Sequence, residues 1–373
     1  MRILMMLHNL GGMLAGMEWQ AVRLAKRLLE EGLEVAFVTL RPPEEDVGFT
    51  GPIHTFPFTT TLPGLRRASW LAALAVHLPR LLRAHDLLHV HQATIGAAVA
   101  VTAAHATGRK VLVKLACSGL YGDLRVMRGQ FLGPRAARRL LEADHFVALT
   151  RESKRELTAE GVAPERVSCI PNGVDAGSFR PASGEERAAC SLPGPRRFAY
   201  LGRLEAYKGV HTLLDAWALL ARQAPQCHLF FAGAGPERAR LEARIRHLDL
   251  KDRVHLLGTV ADSAALLRGC DGLLLPSESE GMSNALLEAM GTGLPVIASD
   301  IEANREVADT SCGLFVPLGD AGAIAASVLE LLEKPELAVR LGSAGRARVL
   351  ERFALESVAT GYRRLYERLL ARP

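Results

Sequence analysis

The sequence predicts an α/β protein made of two consecutive doubly wound, Rossmann-like units, each with a parallel sheet covered by helices. Short apolar runs rich in Val, Ile and Leu alternate with longer segments whose apolar residues recur at helical spacing. This alternation is typical of strands joined by crossover helices. A chain of 373 residues exceeds what one hydrophobic core usually serves, so two domains are expected. Its 49% hydrophobic and 23% charged residues fit a globular protein.

Apolar runs in both halves of the chain are predicted to be strands. In the first half these runs are Arg2–His8, Glu34–Leu40, Leu87–His91, Lys110–Leu115, His145–Leu149 and Val167–Ile170. In the second half they are Phe198–Gly202, Cys227–Gly233, Val254–Leu257, Gly272–Pro276, Pro295–Ala298 and Gly313–Val316. Helices are predicted between them, beginning with Met17–Glu31, and the chain ends with helical patterns over Pro335–Leu350 and Ala354–Leu370.

A segment rich in turn-forming residues separates the two series. It runs from Pro171 to Asp175 and continues through Phe179-Arg180-Pro181 into a polar stretch. Such clusters between periodic regions mark a linker. We therefore expect an N-terminal domain over residues 1–178 and a C-terminal domain over residues 179–353. Ligands of open α/β sheets bind at the carboxyl ends of the strands, so a cleft is expected if the two domains face each other.

The composition excludes several classes of protein. The longest apolar segment, Trp70–Leu82, contains His77, Pro79 and Arg80 and is too short to cross a bilayer. The first apolar run is expected to be a buried strand because no signal-peptide cleavage site follows it. The six cysteines lack the close pairs of a zinc site or a redox dithiol. Free thiols in a cytoplasmic protein are expected.

Positive charge is concentrated in the first half. Residues 1–178 carry 21 Lys plus Arg against 16 Asp plus Glu, whereas residues 179–373 carry 24 of each. Residues 62–139 alone contain twelve basic side chains and two acidic ones, Asp86 and Asp123. This surplus would attract an anionic substrate or membrane surface, and a solvated face is the alternative.

An apolar stripe inside this basic region has two interpretations. It is formed by Leu71, Leu74, Leu78, Leu81 and Leu82, and it lies beside Arg66, Arg67, Arg80 and Arg83. An interfacial helix on the inner face of a membrane would have this pattern, and a helix packed on the core is the alternative.

The segment Pro276–Met290 carries the most specific chemical signal. It follows an apolar strand, turns at Gly281 and enters a helix for which Ser283 or Asn284 is a natural cap. Such a helix start offers unpaired N–H groups to a diphosphate. Glu280 precedes that start and Glu288 lies about two turns beyond it, so both carboxylates can accept hydrogen bonds from one polyhydroxylated ligand.

Two further loops follow buried strands in the second half. Gly202-Arg203 and Lys208-Gly209 place two cations at the mouth of one strand, where they can neutralise a diphosphate. Gly233 follows the next strand, in a loop that allows close approach of a nucleotide or simply makes a tight turn. The loop lacks the full G-x-G-x-x-G pattern, so a nicotinamide site is not expected.

The first half offers its own candidates. Gly12 and Gly16 lie in a glycine loop between the first strand and the first helix, where backbone can approach the transferring group. His91, at the end of its strand, points toward the same rim in this interpretation. A purely structural histidine is the alternative.

Taken in order, these segments resemble the family 4 retaining glycosyltransferases of the GT-B fold over nearly the whole chain. Glu280 and Glu288 match the family's E-x7-E motif. Gly202-Arg203 through Lys208-Gly209 matches its G-R-L-x-x-x-K-G turn, and Ile170 to Asp175 matches its domain-junction signature.

The resemblance implies a donor nucleotide sugar bound by the C-terminal domain. Arg203 and Lys208 would bind the diphosphate, Glu280 the donor sugar and Glu288 the ribose, with Met282, Ser283 and Asn284 beside the nucleotide. The last helix, about residues 354–373, would pack back onto the N-terminal domain. Catalysis would rest on Arg203, Lys208 and Glu280.

Two departures from the family pattern concern the acceptor. Many members carry a histidine after the strand equivalent to Lys110–Leu115, whereas this chain reads Leu115-Ala116-Cys117-Ser118-Gly119. The glycine loop from Gly11 to Gly16 is also longer than the usual paired glycines. His91 and Ser118 are the acceptor candidates that follow, and the acceptor is expected to be a saccharide or a lipid-linked molecule.

The expected reaction is metal-independent transfer with retention at the anomeric carbon. The sequence has no D-x-D triplet, so no metal or other cofactor is expected and Arg203 with Lys208 would replace it. A nucleotide-sugar epimerase or phosphorylase-like enzyme of the same fold is an alternative. A noncatalytic nucleotide-sugar binding protein is another. No nucleic-acid partner is expected.

Overall fold

The computed structural model describes residues 1–11, 16–57, 63–117 and 119–371. The chain divides into two compact units, one formed by Met1–Gly173 with Leu355–Pro373 and the other by Val174–Ala354. The division thus falls before Val174 rather than after residue 178. The reason is packing, since a side chain added at Gly291 would meet Val174 at 3.2 Å and Phe179 at 3.3 Å.

The first unit contains a seven-stranded parallel sheet in the order β3-β2-β1-β4-β5-β6-β7. Its strands are β1 Arg2–Met6, β2 Glu34–Val38, β3 Ile53–His54, β4 Leu87–Val90, β5 Lys110–Lys114, β6 His145–Ala148 and β7 Val167–Cys169. Its first helices are α1 Gly16–Glu30, α2 Pro63–Leu82, α3 Ile95–Ala106, α4 Asp123–Arg128, α5 Gly133–Leu140 and α6 Arg151–Ala159.

The second unit contains a six-stranded parallel sheet in the order β10-β9-β8-β11-β12-β13. Its strands are β8 Arg196–Leu201, β9 Cys227–Ala232, β10 Val254–Gly258, β11 Gly272–Leu275, β12 Val296–Ser299 and β13 Leu314–Val316. Its helices are α7 Gly184–Ala188, α8 Val210–Gln223, α9 Arg238–His247, α10 Ser263–Arg268, α11 Asn284–Gly291, α12 Glu302–Val307, α13 Ala321–Glu333 and α14 Pro335–Arg352. The last helix, α15 Leu355–Ala371, returns to the first unit and packs on α1.

Successive residues of β1 serve two hydrophobic layers. Ile3 and Met5 pack with α1 and α15, whereas Leu4 and Met6 pack with α2 and α3. Side chains alternate between the two faces of a strand, and helices cover both faces of this sheet, so the strand is apolar throughout. This arrangement explains why continuous apolar runs predicted the strands.

The apolar stripe of α2 packs in the core. Leu74, Leu78 and Leu82 are fully buried, and Leu71 and Leu81 pack against the same cluster. The hypothesis that this stripe lies on a membrane is therefore wrong, since its side chains already fill the space between α2, α3 and the sheet. Among the described residues no helix is long and apolar enough to cross a membrane. All six cysteines are free thiols.

Candidate active site

Three loops converge at the carboxyl edge of the second sheet. They follow β8, β9 and β11, and β8 lies between the other two in the sheet. Parallel strands end at the same edge, so the loops that follow neighbouring strands become neighbours. The sequence-predicted donor residues of the second half all lie on these loops or on α11, directly after them.

The first loop runs from Gly202 to Gly209 and ends at the start of α8. The Tyr200 hydroxyl donates to the Arg203 carbonyl oxygen at 2.6 Å and fixes the beginning of the loop. Gly209 has a left-handed φ of 71° and is the N-cap of α8. A side chain there would lie 2.3 Å from the Pro276 carbonyl oxygen, so the backbones of two loops pack directly on each other.

Gly233 brings the loop after β9 equally close. A Cβ at this position would stand 1.8 Å from the Gly202 carbonyl oxygen. No side chain fits between these two segments. Close packing of two backbone segments therefore requires glycine here, and the approach of a nucleotide to Gly233 stays a prediction.

Lys208 and Glu280 form an ion pair between two loops. Lys208 Nζ lies 2.8 Å from Glu280 Oε1, and the two side chains are 16% and 10% exposed. The same Nζ lies 3.5 Å from the Ser279 carbonyl oxygen and 5.0 Å from the Tyr207 ring centroid. An ammonium group and a carboxylate are thus held together at a site that solvent still reaches.

Arg203 lies on the same loop but is more open. Its guanidinium donates to the Tyr207 hydroxyl at 2.6 Å and pairs with Glu205 Oε1 at 3.1 Å. Its side chain is 59% exposed. Tyr207 therefore contacts both predicted cations, since its ring faces Lys208 and its hydroxyl accepts from Arg203.

The third loop leads into α11 through Gly281 and Met282, both buried. The sequence left two candidates for the helix cap, and the structure selects Ser283, whose hydroxyl accepts a hydrogen bond from the Leu286 N–H at 3.3 Å. Asn284 is the first residue of α11. The start of α11 therefore follows the Glu280 loop directly.

Glu288 lies inside α11 and is only 6% exposed. Its carbonyl oxygen accepts a hydrogen bond from the Thr292 hydroxyl at 2.8 Å. Glu288 is therefore not a solvated residue on the outer face of the helix. It is a group that folding keeps away from bulk water.

Sequence spacing missed a set of buried polar side chains behind the Glu280 loop. The Ser299 hydroxyl donates to the Ser277 carbonyl oxygen, and Asn304 Nδ2 donates to Ser299 O and Oγ at 2.9 and 3.2 Å. All three residues are fully buried. Among the described residues, the Ser277 hydroxyl and Asn304 Oδ1 have no hydrogen-bond partner. These side chains link α12 and β12 to the loop that presents Glu280.

Burial shifts the pKa of one side chain, Tyr200, at the edge of the site. Burial raises the pKa of Tyr200 well above its usual value, and the negative charge of Glu280 raises that pKa further. Tyr200 therefore stays protonated at neutral pH and remains a donor to the Arg203 carbonyl.

The candidates of the first unit have a different environment. His91 is fully buried and stacks on His89 with ring centroids 3.9 Å apart, rather than lying at an open rim. Burial lowers the pKa of both imidazoles well below the usual value, so both are neutral at pH 7. His89 Nδ1 lies 2.8 Å from the Tyr366 hydroxyl of α15.

The other first-unit candidates lie in or beside the undescribed segments. Gly12 and Ser118 fall outside the described residues. Gly16 is exposed and is the first residue of α1. The functional interpretation of these three positions stays a prediction.

A buried lysine near the two histidines was not anticipated from the sequence. Lys114 is 4% exposed, and its Nζ donates to Asn172 Oδ1 at 2.8 Å. Burial lowers the pKa of Lys114 to about 8. Asn172 belongs to the predicted junction motif, and the next residue, Gly173, exchanges two hydrogen bonds of 2.9 and 3.1 Å with the buried side chain of Gln20.

Two family models match consecutive parts of the chain. Residues 14–177 match the model for Glycosyltransferase Family 4, and residues 185–348 match the model for Glycosyl transferases group 1. The two matches meet near the observed division between the units and together span most of the sequence.

Curated relatives match about half of this chain. The MMP alpha-(1->4)-mannosyltransferase of Mycolicibacterium hassiacum is 34% identical over 58% of this chain and 52% of its own. The phosphatidyl-myo-inositol mannosyltransferase of Mycolicibacterium smegmatis is 35% identical over 53% of this chain and 51% of its own. The chain thus spans about half the length of these relatives.

A solved structure matches the fold over the full length. Anabaena HepE, in complex with UDP and glucose, superposes with a TM-score of 0.84 over 98% of this chain and 99% of its own, at 20% identity. The TM-score shows that the two proteins share an architecture of two α/β units, although their sequences are only distantly similar.

Proposed function

Because the chain belongs to the family 4 glycosyltransferases, which have the GT-B fold, we propose that it transfers a sugar from a nucleotide-diphosphate donor. One observation carries this proposal. The Lys208–Glu280 ion pair lies at the carboxyl edge of a parallel sheet, between loops whose backbones touch. A cation for phosphate and a carboxylate for sugar hydroxyls are the two groups that such a donor requires.

The donor is proposed to bind in the second unit. Lys208 and Arg203 bind the diphosphate, and Glu280 accepts hydrogen bonds from the sugar hydroxyls. Glu288 binds the ribose. The backbone of Gly202, Gly233, Gly281, Met282, Ser283 and Asn284 approaches the nucleotide. Since Lys208 already pairs with Glu280, the incoming diphosphate shares the ammonium with this carboxylate instead of meeting a solvated cation.

The proposed chemistry is transfer with retention and without a metal. The bond between the anomeric carbon and the diphosphate oxygen breaks, and a bond from the acceptor oxygen forms on the same face of the sugar. The acceptor hydroxyl proton passes to the departing phosphate oxygen. Lys208 and Arg203 stabilise the negative charge that develops on the leaving diphosphate.

The acceptor is proposed to be a saccharide or a lipid-linked molecule. The names of the two mannosyltransferase relatives support both classes, one of them naming a phosphatidyl-myo-inositol. Gly12, Gly16, Ser118 and His91 remain the first-unit candidates for contacts near the transferring group. His91 acts there only if its buried ring becomes accessible, because it is fully buried in this structure.

A ligand screen tests the donor half of the proposal. Thermal unfolding is followed with UDP, GDP and ADP, and then with matching nucleotide sugars, because a ligand of the folded state raises the midpoint. UDP is the first choice because HepE binds it. We expect one nucleoside diphosphate to stabilise the chain and Lys208→Ala to abolish that shift. No shift with any of the three nucleotides would contradict the proposal.

A turnover assay tests the reaction class. The preferred nucleotide sugar is incubated alone, with free phosphate, and with saccharide and lipid-linked acceptors, each with and without EDTA. Acceptor-dependent nucleotide release that survives EDTA supports metal-independent transfer, and analysis of the product anomer tests retention. A change in the donor alone indicates an epimerase, and a need for phosphate indicates a phosphorylase-like enzyme. Tight binding without turnover indicates a binding protein.

A further inference from the structure

Several large apolar side chains project into solvent near the turn between α4 and α5. Phe131 is 89% exposed, Leu132 48%, Val126 51% and Leu65 54%. We call these four residues the Phe131 corner. Leu65 lies in the first turn of α2, and a hydrogen bond from the Arg67 guanidinium of α2 to Gln130 places this end of α2 beside the turn. Exposed apolar side chains are common singly, but a group with a nearly bare phenylalanine indicates a contact surface.

The backbone holds this corner in place. Leu132 has a left-handed φ of 63°, a backbone conformation that is unfavourable for a leucine. The following residue, Gly133, is buried, and a side chain there would lie 2.0 Å from the Met127 carbonyl oxygen. The turn is therefore closed tightly against the end of α4, and Phe131 and Leu132 cannot fold back into the core without breaking that contact.

Arginines surround the corner. Arg66, Arg67, Arg125, Arg135 and Arg138 are all exposed. The two acidic residues of the basic region do not offset them, because Asp123 is 7% exposed and Asp86 pairs with Arg2 at 3.1 Å. Two nearby acids, Glu142 and Glu160, pair with two other arginines, Arg139 and Arg128, and two more, Glu152 and Glu156, line a cavity together with Arg125 and Arg155. The arginines around the corner still outnumber these four acids. The surface around the apolar tip therefore carries net positive charge.

This combination fits a lipid surface better than a protein partner. A stable protein interface buries about 800 Å² on each partner and is depleted of charge at its centre. The Phe131 corner instead consists of four exposed apolar side chains with exposed arginines around them. An apolar tip enters the boundary between headgroups and acyl chains, while arginines bind lipid phosphates.

We propose that the Phe131 corner docks the first unit on an anionic lipid bilayer. Phe131 and Leu132 enter the interface, and Arg135 and Arg138 of α5 contact the headgroups. The contact surface thus lies at the turn between α4 and α5 and at the start of α2, and not on the apolar stripe of α2. The proposed donor site lies in the other unit, so lipid binding can be tested independently of the proposed sugar transfer.

Vesicle sedimentation tests the proposal. The full chain is mixed with phosphatidylcholine vesicles that either contain or lack phosphatidylglycerol, at low and moderate salt. We expect binding only to the anionic vesicles, with weakening as salt rises. The variant Phe131→Ser with Leu132→Asn should lower partitioning at least tenfold. Asn tolerates the left-handed backbone, so this variant keeps the turn.

A charge variant and a matched control complete the design. Arg135→Gln with Arg138→Gln should lower partitioning roughly thirtyfold, because each arginine near an anionic surface contributes about a fivefold effect. Val339→Ser is the control, since Val339 of α14 is 69% exposed and lies in the second unit. It should bind vesicles like the parent. Thermal unfolding of each variant verifies that it is folded.

Three results would overturn the proposal. The first is equal binding to neutral and anionic vesicles, or no binding to either. The second is an equal loss for Val339→Ser and for the Phe131→Ser, Leu132→Asn variant. The third is a parent that self-associates without lipid, as measured by light scattering, and becomes monomeric on Phe131→Ser with Leu132→Asn, since the corner would then join two copies of the chain.

Discussion

Both units gather polar side chains at the carboxyl edge of a parallel sheet, but the two clusters differ in charge and exposure. In the second unit Lys208 contacts the carboxylate of Glu280, and solvent reaches both side chains. In the first unit Lys114 contacts the neutral amide of Asn172, and His89 and His91 beside it are fully buried. The same position in the fold therefore holds a partly buried ion pair that solvent reaches in one unit and a fully buried polar cluster in the other.

The difference teaches which cluster is suited to bind an anion. An ammonium group that pairs with a carboxylate and is reached by solvent can bind a second anion at modest cost, because water solvates the groups while the partners change. Burial disfavours the charged form of a lysine that has no carboxylate partner, as the lowered pKa of Lys114 indicates. We therefore expect substitutions in the second cluster to change catalysis and substitutions in the first to change stability and its pH dependence.

Removing Lys208 should have the largest effect. Lys208→Ala deletes the cation proposed to stabilise the leaving diphosphate and should lower kcat about a hundredfold or more. Lys334→Ala, in an exposed pair with Glu330 at 3.0 Å, is the matched control. Steady-state rates of nucleotide release measure both. Glu280→Gln and the double variant complete a cycle, and additive effects would contradict a joint role for the pair.

Lys114 should make the free energy of unfolding depend on pH above neutrality. Its pKa is about 8 in the folded chain against 10.5 in an exposed lysine, so between these values the unfolded chain binds more protons than the folded one. The folded state therefore gains stability as pH rises through this window, by up to about 1.4 kcal/mol per pH unit. Lys114→Met should remove that gain.

Urea unfolding of the parent and of Lys114→Met at pH 7.5, 9 and 10 measures this effect. Lys334→Met is the control, because an exposed ion pair raises the pKa of Lys334 and gives a dependence of opposite direction. A parent and a Lys114→Met variant with parallel pH profiles would show that Lys114 is not titrating in this range.

The buried amide behind the Glu280 loop should have an intermediate effect. Asn304→Leu removes both hydrogen bonds to Ser299 and leaves the buried Ser299 carbonyl oxygen with the Ile301 N–H alone, which should cost about 2 kcal/mol of unfolding free energy. Because Ser299 in turn holds the Ser277 carbonyl, the variant should also raise KM for the nucleotide sugar. Urea unfolding and donor titration at saturating acceptor measure the two effects. An unchanged KM would show that these hydrogen bonds do not affect binding of the nucleotide sugar.

His91 should have the smallest effect at neutral pH and a larger one in acid. Its pKa is lowered in the folded chain, so below about pH 6.5 the unfolded chain binds more protons and stability falls as pH falls. His91→Leu should change the free energy of unfolding by less than about 1 kcal/mol at pH 7.5, because both ring nitrogens lack partners among the described residues. At pH 5 the variant should be more stable than the parent, and the reverse order there would contradict the buried neutral state.

Most of the fold could be predicted because burial on both faces makes each strand a continuous apolar run. The runs beginning at Arg2 and Cys227 became β1 and β9. The strand β3 was missed, since two residues, Ile53 and His54, carry no pattern of their own. They pair with Phe37 and Val38 of β2 only after the chain has turned.

The donor site could be predicted in part. The sequence indicated that Lys208 and Glu280 each follow a buried strand. The sheet order then places β8 beside β11, so the two residues lie at one edge. Sequence patterns carried no information on Tyr207, whose contacts with Arg203 and Lys208 depend on how their shared loop folds. They carried none on Asn304 either, because its partner Ser299 lies in another element. The burial of His91 was equally hidden, since His91 stacks on His89, and rings of α15 from the far end of the sequence pack on His89.

The helix α15 has a consequence for how the chain folds during synthesis. It supplies Tyr362, Leu365, Tyr366 and Leu369 to the layer between α1 and the first sheet, yet the ribosome makes it after the whole second unit. The unit that emerges first is therefore completed last, contrary to the usual order for multidomain chains. Until then the apolar groove beside α1 stays uncovered, which makes the nascent N-terminal half the part that a chaperone has most reason to hold.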